Sequence, residues 1–288
     1  MFGSVKLVSV VGVFLFSAIV LSASDLVMVW LFLELGGLCL IPAFFLGSPV
    51  GLYALFSFII ASSLSSSFLV CSILFTSYIF LFLLGFMIKF GFFPFTGWVY
   101  GVCTSSNWLV VYLFSVVIKS SFFVLSFFFD GVASSVVVGI LACASLVFLS
   151  VLFWVYSFSW FHCWCHMMLS SSIILVTSSL SGSVELLMCL YAVYFFWASA
   201  TILFLSHVCD EMSLTTPGAF FLYCFLLLSI PASLSVFYKL VVGVCVYFCS
   251  IVVFCFWCIY SVSEQLFLFK FIVSVDVPKC LVGALSAV

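Results

Sequence analysis

The chain has 288 residues, of which 68% are hydrophobic and only 5% charged; its basic residues are six lysines, and its formal net charge is −2. Soluble domains carry about 25% charged residues, so the composition excludes a soluble enzyme or binding domain of any size. It carries no basic patch that would point to nucleic acid as a partner. Long continuous apolar runs also exclude a transmembrane β-barrel, whose strands alternate apolar and polar residues. The expected class is all-α, a polytopic transmembrane helical bundle forming a single transmembrane domain over residues 1–288.

A span needs about 20 apolar residues. In chain order, the first predicted span covers about 5–23. It begins near Lys6 and ends at Ser22-Ala23-Ser24, a pattern shared with cleavable signal peptides. A further span follows almost at once, which favours a retained helix. The second, about 26–46, carries Glu34 in Trp30-Leu31-Phe32-Leu33-Glu34-Leu35. The third and fourth, about 50–70 and 71–92, end near Lys89, where Gly91, Pro94 and Gly97 make a continuous helix unfavourable. Pro94 is therefore read as a helix break.

The fifth span, about 107–129, holds Lys119 roughly twelve residues from its start, and the sixth covers about 132–155. The seventh, about 163–181, opens within the cluster His162-Cys163-Trp164-Cys165-His166. His162 and His166 share a helix face but the two cysteines do not, so one face offers two ligands at most and no metal is expected. The eighth and ninth spans cover about 184–206 and 217–238, with Pro231 as a second break eight positions before Lys239. The tenth covers about 240–262, leaving 263–288 as a short C-terminal tail with an apolar stub at 265–275. Lys6, Lys270 and Lys279 favour both ends on one, positive side of the bilayer.

The fourteen cysteines lie mostly in apolar runs without a CxxC pair and read as small buried hydrophobes. The serine runs at 62–63, 65–67 and 170–172 suit close helix packing. No glycine-rich phosphate loop, Walker pattern or G-x-S-x-G elbow occurs, and no nucleotide, flavin or iron–sulfur cluster is expected on this chain.

The chemistry lies in the buried charges. A lysine at the bilayer centre costs roughly 2.5–3.5 kcal/mol on translocon scales. Lys89, Lys119 and Lys239 survive in apolar surroundings only if something solvates or uses them, although lysines near span ends can snorkel. A glutamate and several lysines that hold and release protons are the parts of a relay, and broken helices beside them line ion paths. A stand-alone cation/proton antiporter or secondary transporter fits the same residues.

The motifs resemble one family in particular. Trp30-Leu31-Phe32-Leu33-Glu34-Leu35, followed by Pro42, is similar to the W-x-x-L-E-[ML]-N…P signature of NADH–ubiquinone oxidoreductase chain 2. Lys89-Phe90-Gly91-Phe92-Phe93-Pro94-Phe95-Thr96-Gly97-Trp98-Val99 follows its K-x-G-x-x-P-F-x-x-W-V pattern. Lys119 falls at the spacing of its next lysine, and Pro231 to Lys239 resembles its P-P-L-x-G-F-x-x-K motif. The departures are Gly36 for Asn, Ala232 and Ser235 in the last motif, and His166 where the family has lysine. The chain is also short for the family; with the lack of arginine, this suggests a divergent animal mitochondrial genome.

The resemblance implies an antiporter-like, proton-translocating subunit in the membrane arm of respiratory complex I, multi-pass in the mitochondrial inner membrane. Glu34 and Lys89 would form a coupled pair, Lys119 the central relay and Lys239 the exit. His166 would be a further relay position. The subunit would carry no cofactor, because NADH, flavin, iron–sulfur clusters and ubiquinone are handled by other subunits. Its partners would be other membrane-arm subunits and the lipid bilayer, with protons and water as its only small substrates.

Overall fold

A computed structural model describes residues 2–46, 51–75, 79–128, 135–181, 183–211 and 217–276. Among them the chain is helical, with no strand. The helices are α1 (Phe2–Leu21), α2 (Leu26–Phe44), α3 (Gly51–Leu74), α4 (Ile79–Lys89), α5 (Gly97–Ser105), α6 (Trp108–Tyr112), α7 (Phe122–Phe128), α8 (Ser135–Val155), α9 (Trp160–Ser181), α10 (Val184–Glu211), α11 (Pro217–Leu226), α12 (Leu234–Cys249) and α13 (Ile251–Asp276). Among the described residues six helical stretches are long and apolar enough to cross a membrane: Leu26–Phe44, Gly51–Leu74, Val136–Val155, Trp160–Leu180, Val184–Val208 and Ile251–Ile272. The chain is therefore a helical membrane bundle.

One helix differs from the other five. The apolar window of α9 is 94% buried inside the protein, against 22–39% for the other long helices. Lipid-facing helices must present hydrocarbon, so Phe56, Ile60, Val136, Ile140, Phe196, Leu203 and Val262 are exposed along their outer faces. In water such a surface would aggregate; in a bilayer it is solvated by acyl chains. Helix α9 has protein on all sides and can carry the polar residues His166, Ser170, Ser171, Ser172, Thr177, Ser178 and Ser179, all buried. Most of these hydroxyls bond to carbonyls of their own preceding turn, for instance Ser170 Oγ to Met167 O at 2.8 Å and Thr177 Oγ1 to Ile174 O at 2.9 Å.

Without a hydrophobic drive between helices in lipid, close approach and polar contacts hold the bundle together. Ser65 Oγ on α3 donates to Gly85 O on α4 at 2.8 Å, and a Cβ on Gly85 would meet Leu69 and Ser65 O at 3.0 Å. Phe82 and Phe86 of α4 and Phe90 just beyond it pack in a row, with centroids 5.0 and 5.7 Å apart, and Phe90 continues onto Phe122 at 4.2 Å. The described cysteines are free thiols.

Both predicted breaks interrupt helices, by different local chemistry. Helix α4 stops at Lys89 because Gly91 adopts φ +70°, with Gly91 N donating to Ile88 O at 3.2 Å and Phe92 N to Met87 O at 2.9 Å. This is the 6→1 and 5→2 pairing of a Schellman cap. Glycine thus ends the helix, and Pro94 lies three residues further along the connection. An alanine at Gly91 would carry the left-handed strain of roughly 1–2 kcal/mol and press its Cβ onto Val99. Gly91→Ala is therefore expected to lower the melting temperature of the detergent-purified assembly, read by thermal-shift fluorescence.

At the second break, Pro231 and Ala232 (φ 68°) precede α12, which Ser233 caps by accepting from Val236 N at 3.2 Å. The carbonyls freed at the end of α11 are used: Trp197 Nε1 donates to Leu226 O at 2.8 Å and Ser235 Oγ to Leu227 O at 3.2 Å.

The end of the chain differs from expectation. The apolar run read as spans 217–238 and 240–262 is divided into α11, α12 and α13, with the last boundary at Ser250 in extended backbone (φ −163°, ψ 122°). Gly243 packs on Trp257 and Tyr247 on Phe254, so α12 and α13 form an antiparallel hairpin. No glycine or proline marks that reversal in Tyr247-Phe248-Cys249-Ser250-Ile251. Helix α13 runs on to Asp276, so residue 263, where the tail was expected to begin, lies within it; residues 277–288 of that tail are outside the described residues.

Candidate functional site

The first station joins three helices. Lys89 Nζ, on the last turn of α4, lies 2.7 Å from Glu34 Oε1 on α2, and Ser62 Oγ on α3 donates to Glu34 Oε2 at 3.3 Å. One turn away Trp30 Nε1 donates to Ser66 Oγ at 2.8 Å, so α2 and α3 are fastened by two side-chain bonds in register. The Lys89 side chain is 7% exposed and that of Glu34 is 25% exposed. The lysine also sits where the α4 dipole is negative, which favours a cation. Neither charge could sit in this surrounding alone.

Lys119 occupies the second station, without a carboxylate. Its segment leaves α geometry: α6 passes into a π turn over Leu113–Val117, then a 3-10 turn over Ile118–Ser121, before α7 resumes. Such turns leave backbone carbonyls with altered partners. Here Tyr194 OH donates to Ser115 O at 2.7 Å and Tyr191 OH to Val116 O at 3.1 Å. The Lys119 ammonium, 1% exposed, donates to Met168 O at 2.7 Å, Ser171 Oγ at 2.6 Å and Tyr194 OH at 3.1 Å, and lies 4.7 Å from the Tyr194 ring centroid. Ser171 gives its own proton to Met168 O and Tyr194 gives its to Ser115 O. Three acceptors thus face the three N–H bonds of an ammonium. A neutral amine here would need one hydroxyl to turn and donate.

Between the first two stations the contact is apolar, Phe90 against Phe122. Beside it, a cavity of about 10 Å³ lies between Leu33 and Gly36 of α2 and Ser120 and Ser121 of the 3-10 turn. That is close to the smallest space that holds one water.

His166, on α9 and fully buried, pairs through Nδ1 with Tyr100 OH of α5 at 2.5 Å, and its ring lies 4.7 Å from that of Phe153. No hydrogen bond joins it to a lysine among the described residues. Its Nε2 has no hydrogen-bond partner there. His162 bonds to Ser159 at 2.7 Å.

Lys239, in the second turn of α12, stands 2.9 Å from Glu264 Oε1 on α13, an ion pair without hydrogen-bond alignment. Both side chains are largely buried, at 13% and 7% exposure. Next to Lys239, Tyr238 stacks on Trp197 with centroids 4.4 Å apart and packs on Tyr194 at 6.0 Å, the tyrosine bonded to Lys119. Lys239 thus faces a carboxylate on the next helix and also borders the groove between α12 and α13.

The structure therefore brings Glu34 and Lys89 into direct contact and sets Lys119 and Lys239 at separate stations, with His166 apart from both. Sequence reasoning missed Glu264, Tyr194, Ser171 and Tyr100. A signal existed for Glu264, since it is a lone acid between Ser263 and Gln265 in an apolar run, but the expected span ended at 262. The tyrosines carried no signal, because aromatic residues in spans are common. No protein-family model matches the chain, and no curated protein matches its sequence.

Proposed function

We propose that this chain is a proton-translocating subunit of the membrane arm of respiratory complex I, resembling NADH–ubiquinone oxidoreductase chain 2. The observation that carries the reading is the buried Glu34–Lys89 ion pair at 2.7 Å. It stands on the two segments whose motifs resemble the family, with Lys89 at a helix end. About ten spans is the reading supported by the six long helices together with the shorter apolar helices Val5–Leu21, Phe80–Lys89, Trp108–Val124 and Leu234–Cys249. The residence is the mitochondrial inner membrane, and the partners are neighbouring membrane-arm subunits.

The mechanism is electrostatic. While Glu34 faces Lys89, the ammonium is stabilised; drawing the carboxylate away removes that stabilisation and favours transfer of a proton towards Lys119. At Lys119 the three acceptors hold the incoming proton until Ser171 or Tyr194 turns its hydroxyl. Lys239 receives it next. Redox chemistry belongs to other subunits; this chain contributes groups that hold and pass protons.

Native electrophoresis of mitochondrial membranes tests the assignment. The chain should migrate within a very large assembly that stains for NADH oxidation, and antibody removal of the chain should remove that activity. Migration alone, with cation/proton exchange by the purified chain in liposomes, would instead establish a stand-alone antiporter.

A further inference from the structure

We infer that Glu264 is the proton acceptor of Lys239, and that the two form an exit pair on the α12–α13 hairpin; this rests on the proton-translocating reading above. Every other buried glutamate or lysine described here belongs to a motif recognised in the sequence. Glu264 does not, yet its side chain is as buried as that of Lys89 and meets a lysine at ion-pair distance.

The surroundings connect this pair to Lys119. Ser171 on α9 bonds to the Lys119 ammonium, and its neighbour Ser170 is in side-chain contact with Tyr260 of α13. Tyr260 lies one turn before Glu264, contacts its carboxylate, and is tied to α9 by donating to His166 O at 3.3 Å. The groups facing Glu264 are thus Lys239 and Tyr238 from α12, and Tyr260 and Gln265 from its own helix, Gln265 Nε2 donating to it at 3.2 Å. Lys239 and Gln265 also border a groove of about 740 Å³ between α12 and α13, lined mostly by apolar side chains such as Leu240, Val244, Phe254 and Val262. The pair therefore lies between buried tyrosines, Tyr238 and Tyr260, and an apolar groove that Lys239 borders.

The step balances without electrons. The Lys239 ammonium gives one proton to the Glu264 carboxylate, leaving a neutral amine and a neutral carboxylic acid. The acid releases that proton to a water and becomes carboxylate again. The amine regains a proton from the Lys119 side. Passing through a doubly neutral state avoids the charge separation that makes an isolated buried ion costly.

The test uses the assembled complex in liposomes. Glu264→Gln preserves shape and removes the acceptor, so proton uptake driven by NADH oxidation should slow about a hundredfold, the low end of what a positioned proton-transfer group supplies, with the assembly intact on native gels. Glu264→Asp should restore part of the pumping. Unaltered pumping in assembled Glu264→Gln would overturn the inference. If that variant fails to assemble, Glu264→Asp, which shortens the carboxylate, serves to assign the carboxyl band in the infrared test that follows. Infrared difference spectroscopy gives a readout that packing alone would not move. A carboxyl band absent from the Glu264 variant should change frequency in Lys239→Met, and a band indifferent to Lys239 would refute the pair. This spectrum is independent of NADH oxidation, so its failure is separable from failure of the complex I assignment.

Discussion

Replacing Lys89 with methionine should reduce NADH–ubiquinone turnover and proton uptake by about a hundredfold in the assembled complex, the low end of the loss expected for a positioned proton carrier. Methionine keeps the volume but cannot carry a proton. The change also strands the Glu34 carboxylate, which retains only Ser62 as a partner at 3.3 Å. Breaking a buried ion pair costs roughly 3–5 kcal/mol, and because the Glu34 side chain is 25% exposed the loss here should fall below that range. The paired variant Glu34→Gln with Lys89→Met removes both charges. It should be more heat-stable than Lys89→Met alone yet no worse in pumping, since each single change already disables the same pair. Near-normal turnover in assembled Lys89→Met would remove this lysine from the pathway.

Lys119→Met should be equally damaging to pumping with the opposite effect on stability. All three partners of Lys119 are neutral, and Ser171 and Tyr194 keep their own bonds to Met168 O and Ser115 O when the ammonium is gone. No charge is left uncompensated. Removing an ammonium that is 1% exposed also removes its desolvation cost. Thermal melting of the purified assembly should therefore be unchanged or raised while proton uptake is lost. A large fall in melting temperature with pumping retained would make Lys119 a structural anchor.

Much of the architecture was legible because lipid imposes simple rules. Apolar length revealed the membrane class, and the charges that break those runs picked out Glu34, Lys89, Lys119 and Lys239. The glycines and the proline after Lys89 marked a real end of α4, although Gly91 alone makes the cap. Other features had no local code. The π and 3-10 turns around Lys119 sit in Leu113-Phe114-Ser115-Val116-Val117-Ile118, a sequence with every appearance of ordinary helix. They become visible only with Tyr191 and Tyr194 of α10, which bind the carbonyls exposed there. The reversal at Ser250 likewise depends on α13 packing back along α12, and missing it hid Glu264 in an expected tail.

The enclosure of α9 bears on how such a protein can diverge. On a helix that faces acyl chains, one apolar side chain substitutes for another with little consequence, so drift erases similarity quickly. Helix α9 has no such free face. His166 pairs with Tyr100 of α5 and Ser171 accepts from Lys119, so a change at either must be matched on the neighbouring segment. Heritable constraint in this chain is therefore concentrated in one inner helix and a few helix ends, surrounded by an outer wall whose spelling is nearly arbitrary. Relatives of such a protein would be recognisable by shape and by the placement of a few charges long after their sequences had ceased to align.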